Sequence, residues 1–179
     1  MKTTIELTDQ TTKFIVNNIY PLYLHDLSGI WGWKPNKYGV YEESDIPTLT
    51  EQNKVFDVWW EDAHTNILFP YLIRVDGIPA GLAFVATPPY TPHGTDYYMN
   101  EFFVLQPFRA HGVAQSAANQ VFDSHRGSWE VQTNPTHTNL RAQAFWTKTI
   151  QQYTSGAYHK EVKRTNDDGD KLIFSFQNK

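Results

Sequence analysis

The sequence predicts an α/β fold: a mixed, mostly antiparallel sheet with helices on both faces. Two observations carry this prediction. Short apolar stretches are separated by turn residues such as Asp76-Gly77, the usual signal of an antiparallel hairpin. A further stretch, from Tyr97 to Leu105, leads through a Gly-containing turn into an Ala/Gln-rich helix and then into a strand that ends at Thr133. That β-α-β succession predicts one parallel pair with a right-handed crossover.

The first third of the chain predicts one strand and two helices. A short strand runs from Thr3 to Leu7, and Thr8 is in position to cap the helix that follows. The apolar residues of this helix recur at the spacing of one buried face: Phe14, Ile15, Ile19, Leu22, Tyr23 and Leu27. Residues 28–48 are rich in Gly and Pro and are expected to be irregular. Thr50 then caps a predicted second helix that extends through Asp62.

The remainder predicts six strands and two helices. The strands run from Ile67 to Val75, Ile78 to Ala86, Tyr97 to Leu105, Ser128 to Thr133, Tyr158 to Arg164 and Lys171 to Phe176. One helix follows Gly112, and another, capped by Thr138 or Asn139, continues to about Tyr153. A turn at Asp167-Asp168-Gly169 closes the last hairpin. The predicted order is β-α-α-β-β-β-α-β-α-β-β.

Composition excludes several classes of function. With 179 residues, the chain has the length of a single domain (1–179) with a substantial core. The net charge is −4 and Lys and Arg are scattered, so no nucleic-acid partner is expected. The absence of Cys excludes disulfides, thiol nucleophiles and thiolate metal sites, and the seven dispersed His give no indication of a metal. No signal peptide or bilayer-spanning run is evident, so a cytoplasmic protein without a membrane partner is expected.

The turn Arg109-x-x-Gly112-x-Ala114 is the main functional signal. Small residues at a helix N-terminus leave backbone N–H groups available to a phosphate. The turn lacks the Lys-Ser/Thr pair of a P-loop and the G-x-G-x-x-G of a dinucleotide fold. On these six residues alone, an ordinary strand-to-helix turn is the better explanation of the pattern.

With the strand before it and the helix after it, this turn resembles the motif Q/R-x-x-G-x-G/A of the GNAT superfamily of N-acetyltransferases, and the predicted element order resembles the GNAT fold. The resemblance implies that the turn binds the pyrophosphate of acetyl-CoA and that the preceding strand pairs with the pantetheine arm. Ala110, where many members have Gly, is expected in an ordinary backbone conformation. The cofactor-binding residues implied are Phe103, Val104, Leu105, Arg109, Ala110, His111, Gly112, Val113, Ala114, Asn139 and Trp146.

A second family element, N-x-x-A-x-x-L-Y-E-K, resembles the stretch from Asn139 to Lys148. The resemblance implies that Asn139 contacts the cofactor arm, although it is equally suited to cap the helix. Trp146 replaces the Tyr that commonly protonates the CoA thiolate, and an indole N–H is a negligible acid. Water or Tyr153 would then protonate the thiolate, and Asn139 is expected to help CoA leave. Core packing is an alternative role for Phe145 and Trp146. Several segments resemble a bacterial subgroup of predicted acetyltransferases.

Glu101 is the candidate general base. A carboxylate near the thioester would take the proton from an ammonium group, and burial beside two Phe residues is expected to raise its pKa. Many family members carry an acidic residue on this strand. An exposed strand Glu, or a partner of Arg74 or Arg141, is the alternative.

Substrate recognition is predicted at the first helix and the loop after it. Aromatic and acidic side chains there would suit a cationic amine, although the aromatics could instead pack back onto the sheet. The candidate substrate-binding residues are His25, Asp26, Trp31, Trp33 and Glu101.

The function predicted from the resemblance is acetyl transfer from acetyl-CoA to a small-molecule primary amine, by direct transfer in a ternary complex. Transfer to a protein N-terminus, a Lys side chain or an antibiotic amine is one alternative. A non-catalytic acyl-CoA sensor with the same fold is another. The family also implies a possible homodimer.

Overall fold

The computed structural model describes residues 1–41, 45–165 and 169–178, so the predicted turn residues Asp167 and Asp168 lie outside the described residues. The element order confirms the predicted one. The strands are β1 (Thr3–Leu7), β2 (Leu68–Val75), β3 (Ile78–Ala86), β4 (Tyr97–Val104), β5 (Ser128–Thr133), β6 (Tyr158–Thr165) and β7 (Gly169–Gln177). The helices are α1 (Lys13–Trp31), α2 (Leu49–Lys54), α3 (Val113–Ser124) and α4 (Leu140–Tyr153).

The strands form one seven-stranded sheet in the order β1-β2-β3-β4-β5-β7-β6. Every neighbouring pair is antiparallel except β4 and β5, which confirms the predicted parallel pair. The β4–β5 pairing covers only Tyr97–Met99 against Trp129–Val131. Beyond Met99 the register has no further partners, so the two strands separate toward the end of β4.

Each face of the sheet carries its own apolar core, as the prediction of helices on both faces requires. On one face α3 and α4 pack through Val113, Val121 and Ile150. On the other face α1 packs through Val16 and Leu24 onto the central strands. Since burial of such apolar side chains is the dominant favourable term in folding, these two cores hold the central strands in place.

The first helix begins later and ends later than predicted. Thr8 does not cap it: the Thr8 hydroxyl donates to the carbonyl of Pro70 and accepts the indole N–H of Trp60. Asp9 instead accepts hydrogen bonds from the backbone of Thr11 and Thr12 just before the helix begins. The helix continues through Trp31, and Gly32 ends it with φ of 72°. Residues 28–31, predicted to be irregular, are therefore helical.

The second helix is shorter than predicted. Thr48, not Thr50, caps it by accepting the N–H of Glu51. After Lys54 the chain continues in short 3₁₀ turns, and Trp60 lies in the first of these, packed edge-on against Phe84. The prediction of a helix from Thr50 through Asp62 is therefore wrong beyond Lys54, where burial of Trp60 against Phe84 is achieved without α-helical geometry.

No helix in the described ranges has the length and apolarity needed to cross a membrane.

Gly81 on β3 lets the backbone of β4 approach closely. A Cβ built on Gly81 would lie 2.1 Å from the Phe103 carbonyl oxygen. The neighbouring Leu105 N–H donates to the Ala80 carbonyl at 2.8 Å, which fixes the end of β4 against β3. Because the obstacle is backbone rather than a flexible side chain, only glycine fits at position 81.

We expect Gly81→Ala to lower the free energy of unfolding by about 2–3 kcal/mol, because the new methyl group displaces the backbone of β4. The matched control is Gly29→Ala on the exposed side of α1, where an added Cβ meets nothing within 4 Å. That variant should raise stability by about 0.5–1 kcal/mol, since Ala is the better helix former. Urea denaturation of both variants tests the pair, and equal stabilities would contradict it.

Candidate acyl-transfer site

A β-bulge in the middle of β4 determines which face Glu101 occupies. Glu101 pairs with Phe84 of β3, but the next pair is Val85 with Met99, so Asn100 is an extra residue on β4. Since side chains alternate along a strand, an unbulged β4 would place Glu101 on the same face as Met99, toward α3 and α4. The extra residue changes the phase and places Glu101 on the α1 face instead.

The separation of β4 from β5 opens a cavity of about 900 Å³. Its lining includes the end of β4, the loop after β5, the first turns of α4 and the C-terminal half of α1. Leu105 donates its N–H to β3, and antiparallel pairing alternates along the strand, so the N–H and C=O groups of Phe102 and Val104 point toward the separation. An extended ligand in the cavity would therefore hydrogen-bond with the backbone of Val104 and not with that of Leu105.

The turn after β4 contains two residues with positive φ. Gly112 has φ of 76°, and Ala110, for which an ordinary conformation is predicted from the sequence, has φ of 66°. That expectation is wrong: Ala110 adopts the left-handed conformation in which Gly would be comfortable, at a cost of roughly 1–2 kcal/mol. The two left-handed residues bend the chain sharply enough to begin α3 at Val113.

The N-terminus of α3 faces outward with its amide groups uncapped. Gly112 is the N-cap residue and provides no side-chain hydrogen bond. The amide of Ser116 is the first to bond within the helix, to the Gly112 carbonyl at 2.9 Å. Among the described residues, no acceptor is found for the N–H groups of Val113 and Ala114. Such amides and the helix dipole favour an anion, so this turn fits a pyrophosphate.

Arg109 fastens the turn to α1. Its Nε donates to the Val104 carbonyl at 2.7 Å, and its Nη2 donates to the Asp26 carboxylate. The guanidinium also lies over the Phe103 ring, 5.3 Å from the ring centroid. Arg109, a predicted cofactor-binding residue, and Asp26, a predicted substrate-binding residue, are thus brought together, and this ion pair links α1 to the turn before α3.

Glu101 is hydrogen-bonded to Tyr23 across the α1 face of the sheet. The Tyr23 hydroxyl donates to Glu101 Oε2, and both residues line the cavity. Burial, together with the Glu101 carboxylate, raises the pKa of Tyr23 well above its usual range. Arg74, an alternative partner of Glu101, is bonded to Glu6 instead. The sequence contained no signal for the Tyr23–Glu101 contact, because 78 residues separate the two positions.

Asn139 and Trp146 line the cavity from the α4 side. Asn139 sits at the N-cap position of α4, but its side chain makes no capping bond. Its amide donates instead to the Thr133 hydroxyl at 2.8 Å and to the Asn134 carbonyl at 2.9 Å, which holds the loop after β5. Trp146 is buried and contacts Phe102 edge-on, so it combines core packing with a position on the cavity wall.

Trp31 and Trp33, two of the predicted substrate-binding residues, lie on the α1 wall of the cavity. Their rings are nearly parallel, with centroids 5.9 Å apart, and both line the cavity. The Lys171 ammonium lies 4.6 Å from the centroid of a Trp31 ring. Sequence reasoning did not include Lys171, because β7 reaches this wall only through the folding of the sheet.

Several predicted residues lie apart from the cavity. The Tyr153 hydroxyl donates to Asp123 and accepts from Asn178, and burial raises the pKa of Tyr153. With those partners, Tyr153 does not line the cavity that Glu101 lines. His25 is exposed beside Tyr41. The lining also does not include Leu105, His111, Gly112 or Val113 among the described residues, whereas Arg109, Ala110 and Ala114 of the turn belong to it.

Within the described ranges, no group of three or more His, Asp or Glu side chains is arranged to hold a metal ion.

Known structures share this fold over the whole chain. A protein assigned to the GNAT acetyltransferase family from Desulfovibrio desulfuricans has a TM-score of 0.63 and 12% identity, covering 98% of this chain and 99% of its own. An acetyltransferase from Thermus thermophilus has a TM-score of 0.65 and 10% identity, covering 99% and 98%. A ribosomal L7/L12 alpha-N-protein acetyltransferase in complex with coenzyme A has a TM-score of 0.64 and 11% identity, covering 99% and 94%.

The chain therefore has the GNAT fold, as the resemblance in sequence predicted. No family profile matches it, and no curated protein matches its sequence.

The two positive-φ residues of the turn allow a pair of substitutions with opposite expected effects on backbone strain. Gly112→Val places a β-branched residue where L-residues are strained, although the added Cβ itself meets nothing within 4 Å. The helix amides should therefore be reoriented, and the affinity for CoA should fall roughly tenfold or more in isothermal calorimetry. Ala110→Gly is the control: it relieves strain, should keep CoA affinity and should raise stability by up to about 1 kcal/mol. Unchanged affinity in Gly112→Val would contradict the assignment.

Proposed function

We propose that this protein transfers an acetyl group from acetyl-CoA to the primary amine of a small molecule. The observation that carries the proposal is the separation of β4 from β5 beside an uncapped helix N-terminus. That arrangement provides backbone partners for an extended arm and an anion site at one end of it. The GNAT fold of the chain supports the same assignment.

The residues we assign to the cofactor are those of the turn and of β4. The amides of Val113 and Ala114 bind the pyrophosphate, and the backbone of Val104 pairs with the pantetheine arm. Asn139 and Trp146 border the arm on its other side. Bound acetyl-CoA supplies the acetyl carbonyl that the amine attacks and a thiolate leaving group, which takes up one of the two protons lost by the amine nitrogen.

Glu101 is the base in this proposal. A primary amine is protonated near neutral pH, whereas attack requires its lone pair. The Glu101 carboxylate accepts one proton from the ammonium group, directly or through a water molecule, and returns it to solvent after the transfer. The β4 N–H groups that face the separation are the donors we assign to the carbonyl oxygen, as in an oxyanion hole.

The small-molecule acceptor is supported by the walls of the cavity. Trp31 and Trp33 offer aromatic surface, and Glu101 offers a carboxylate at the inner end. Ammonium groups bind to aromatic faces and carboxylates by electrostatic attraction. Direct transfer is favoured because the chain has no Cys, and no Ser–His–Asp arrangement was indicated by the sequence.

The test is release of CoA thiol from acetyl-CoA in the presence of a panel of amines. The panel should include small primary amines, an aminoglycoside and a peptide N-terminus, since proteins with this fold are named for the last two activities. Transfer to small amines is the expected result. Tight CoA binding without thiol release for any acceptor would favour a sensor, and absence of CoA binding would end the proposal.

Glu101→Gln should lower kcat/KM most strongly near neutral pH. At high pH the amine is already deprotonated, so the reaction depends less on a base and the loss of kcat/KM relative to wild type should become smaller. The pH–rate profile of the variant against wild type measures this, with Glu61→Gln, in the 3₁₀ turns outside the cavity lining, as the matched control. An unaltered profile in Glu101→Gln would dismiss Glu101 as the base.

A further inference from the structure

We propose that Tyr23 is a positioning residue for Glu101: its hydroxyl donates to Glu101 Oε2 and keeps the carboxylate ionised and fixed at the cavity wall. This inference rests on the proposed function, because it assigns Tyr23 to the site where Glu101 acts as base. The turn motif Arg109-x-x-Gly112-x-Ala114 does not include Tyr23. The contact itself carries the proposal.

The Tyr23 ring is held in one place by its neighbours. It projects from the sheet-facing side of α1 and packs against Phe103 of β4, with ring centroids 5.3 Å apart. On the other side, Tyr20 meets it edge-on at 5.7 Å. Phe103 lies two residues beyond Glu101 on the same face of β4, so the ring that packs against Phe103 directs its hydroxyl at Glu101.

Tyr23 is a hydrogen-bond donor across the working pH range. The pKa of Tyr23 is raised mainly by burial and then by Glu101, with smaller contributions from Tyr20 and Tyr98. Of the other charged groups that line the cavity, Asp26 and Arg109 are paired with each other. Lys171 lies over the Trp31 ring, and Arg141 lines the cavity from α4. A protonated phenol beside a carboxylate makes a charge-assisted bond, which is stronger than a neutral one.

The hydrogen bond from Tyr23 affects the balance between the ionised and the neutral form of Glu101. A hydrogen bond donated to a carboxylate favours the ionised form, whereas burial alone would favour the neutral acid. Glu101 must be ionised to receive a proton from the acceptor ammonium. Tyr23 therefore acts on Glu101 and not on the substrate, and its loss should change the protonation of Glu101 more than the binding of acetyl-CoA.

The decisive measurement is the pH midpoint at which the Glu101 carboxyl titrates, followed by NMR in protein labelled with ¹³C-glutamate. The Glu101 signal is assigned by its loss in Glu101→Gln. Tyr23→Phe removes only the hydroxyl, so the Glu101 midpoint should move to higher pH. Replacing Tyr23 with 3-fluorotyrosine keeps the packing and makes the phenol a stronger donor, so the midpoint should move to lower pH. The matched control is Tyr90→Phe, whose hydroxyl bonds His64 outside the cavity lining and which should leave the midpoint in place.

Activity gives a second readout. In Tyr23→Phe, kcat/KM near pH 7 should fall about tenfold, which is the usual order for losing a charge-assisted hydrogen bond. The loss relative to wild type should become smaller as pH rises, because Glu101 is then ionised in both proteins. In the Glu101→Gln background, Tyr23→Phe should have no further effect, because its influence passes through the carboxylate. A uniform loss at every pH, or additive effects, would overturn the proposal.

The two readouts separate this inference from the proposed function. A Glu101 midpoint that responds to both Tyr23 replacements supports the positioning role, even if no amine is acetylated and the proposed function fails. A midpoint that ignores both replacements overturns the positioning role, even if wild type is an active acetyltransferase. The NMR titration also detects loss of folding directly, and the 3-fluorotyrosine protein provides the test if Tyr23→Phe does not fold.

Discussion

The candidate site depends on one constraint: β4 loses β5 as its partner after Met99, the third of its eight residues. A strand edge inside a sheet cannot leave its polar groups unpaired without cost, so the groups of β4 that face the gap beyond Met99 require other partners. The Val104 carbonyl has one within the chain, the Arg109 Nε. The bulge at Asn100 lies at the same point and sends Glu101 to the α1 face. Two irregularities at one place in β4 therefore provide the gap beside β5 and the direction of the candidate base.

Three contacts then hold α1 across the gap. Arg109 bonds Asp26 on the cofactor side, the Thr138 hydroxyl donates to the Ile30 carbonyl on the α4 side, and Lys171 approaches Trp31. Only the first of these is an ion pair, and a partly exposed ion pair stabilises a protein little, so the importance of the three contacts is geometric. They join α1 to the turn after β4, to the loop after β5 and to β7 around the gap.

This chain shares its fold with proteins that are only 10–12% identical to it, so the features they share, and not particular side chains, are what the fold requires. The requirements are periodic burial on both sheet faces, an interrupted parallel pair and a tight turn into a helix, and many side chains satisfy each of them. Individual contacts are less constrained. Ala110 adopts a left-handed conformation that Gly would accept more readily, and Trp146 combines core packing with a place on the cavity wall. The fold tolerates both departures, because neither disturbs the end of β4.

The sequence alone determined the order of elements, the parallel pair and the turn at Gly112, because strand and helix periods and turn residues act over a few neighbouring positions. It also indicated Glu101 and Asn139 as candidates. Only the tertiary structure decided that Tyr23 meets Glu101 and that Tyr153 is held elsewhere by Asp123 and Asn178. The physical reason is range: a bulge changes which face a side chain occupies, and contacts between distant residues exist only after the sheet has brought the strands together.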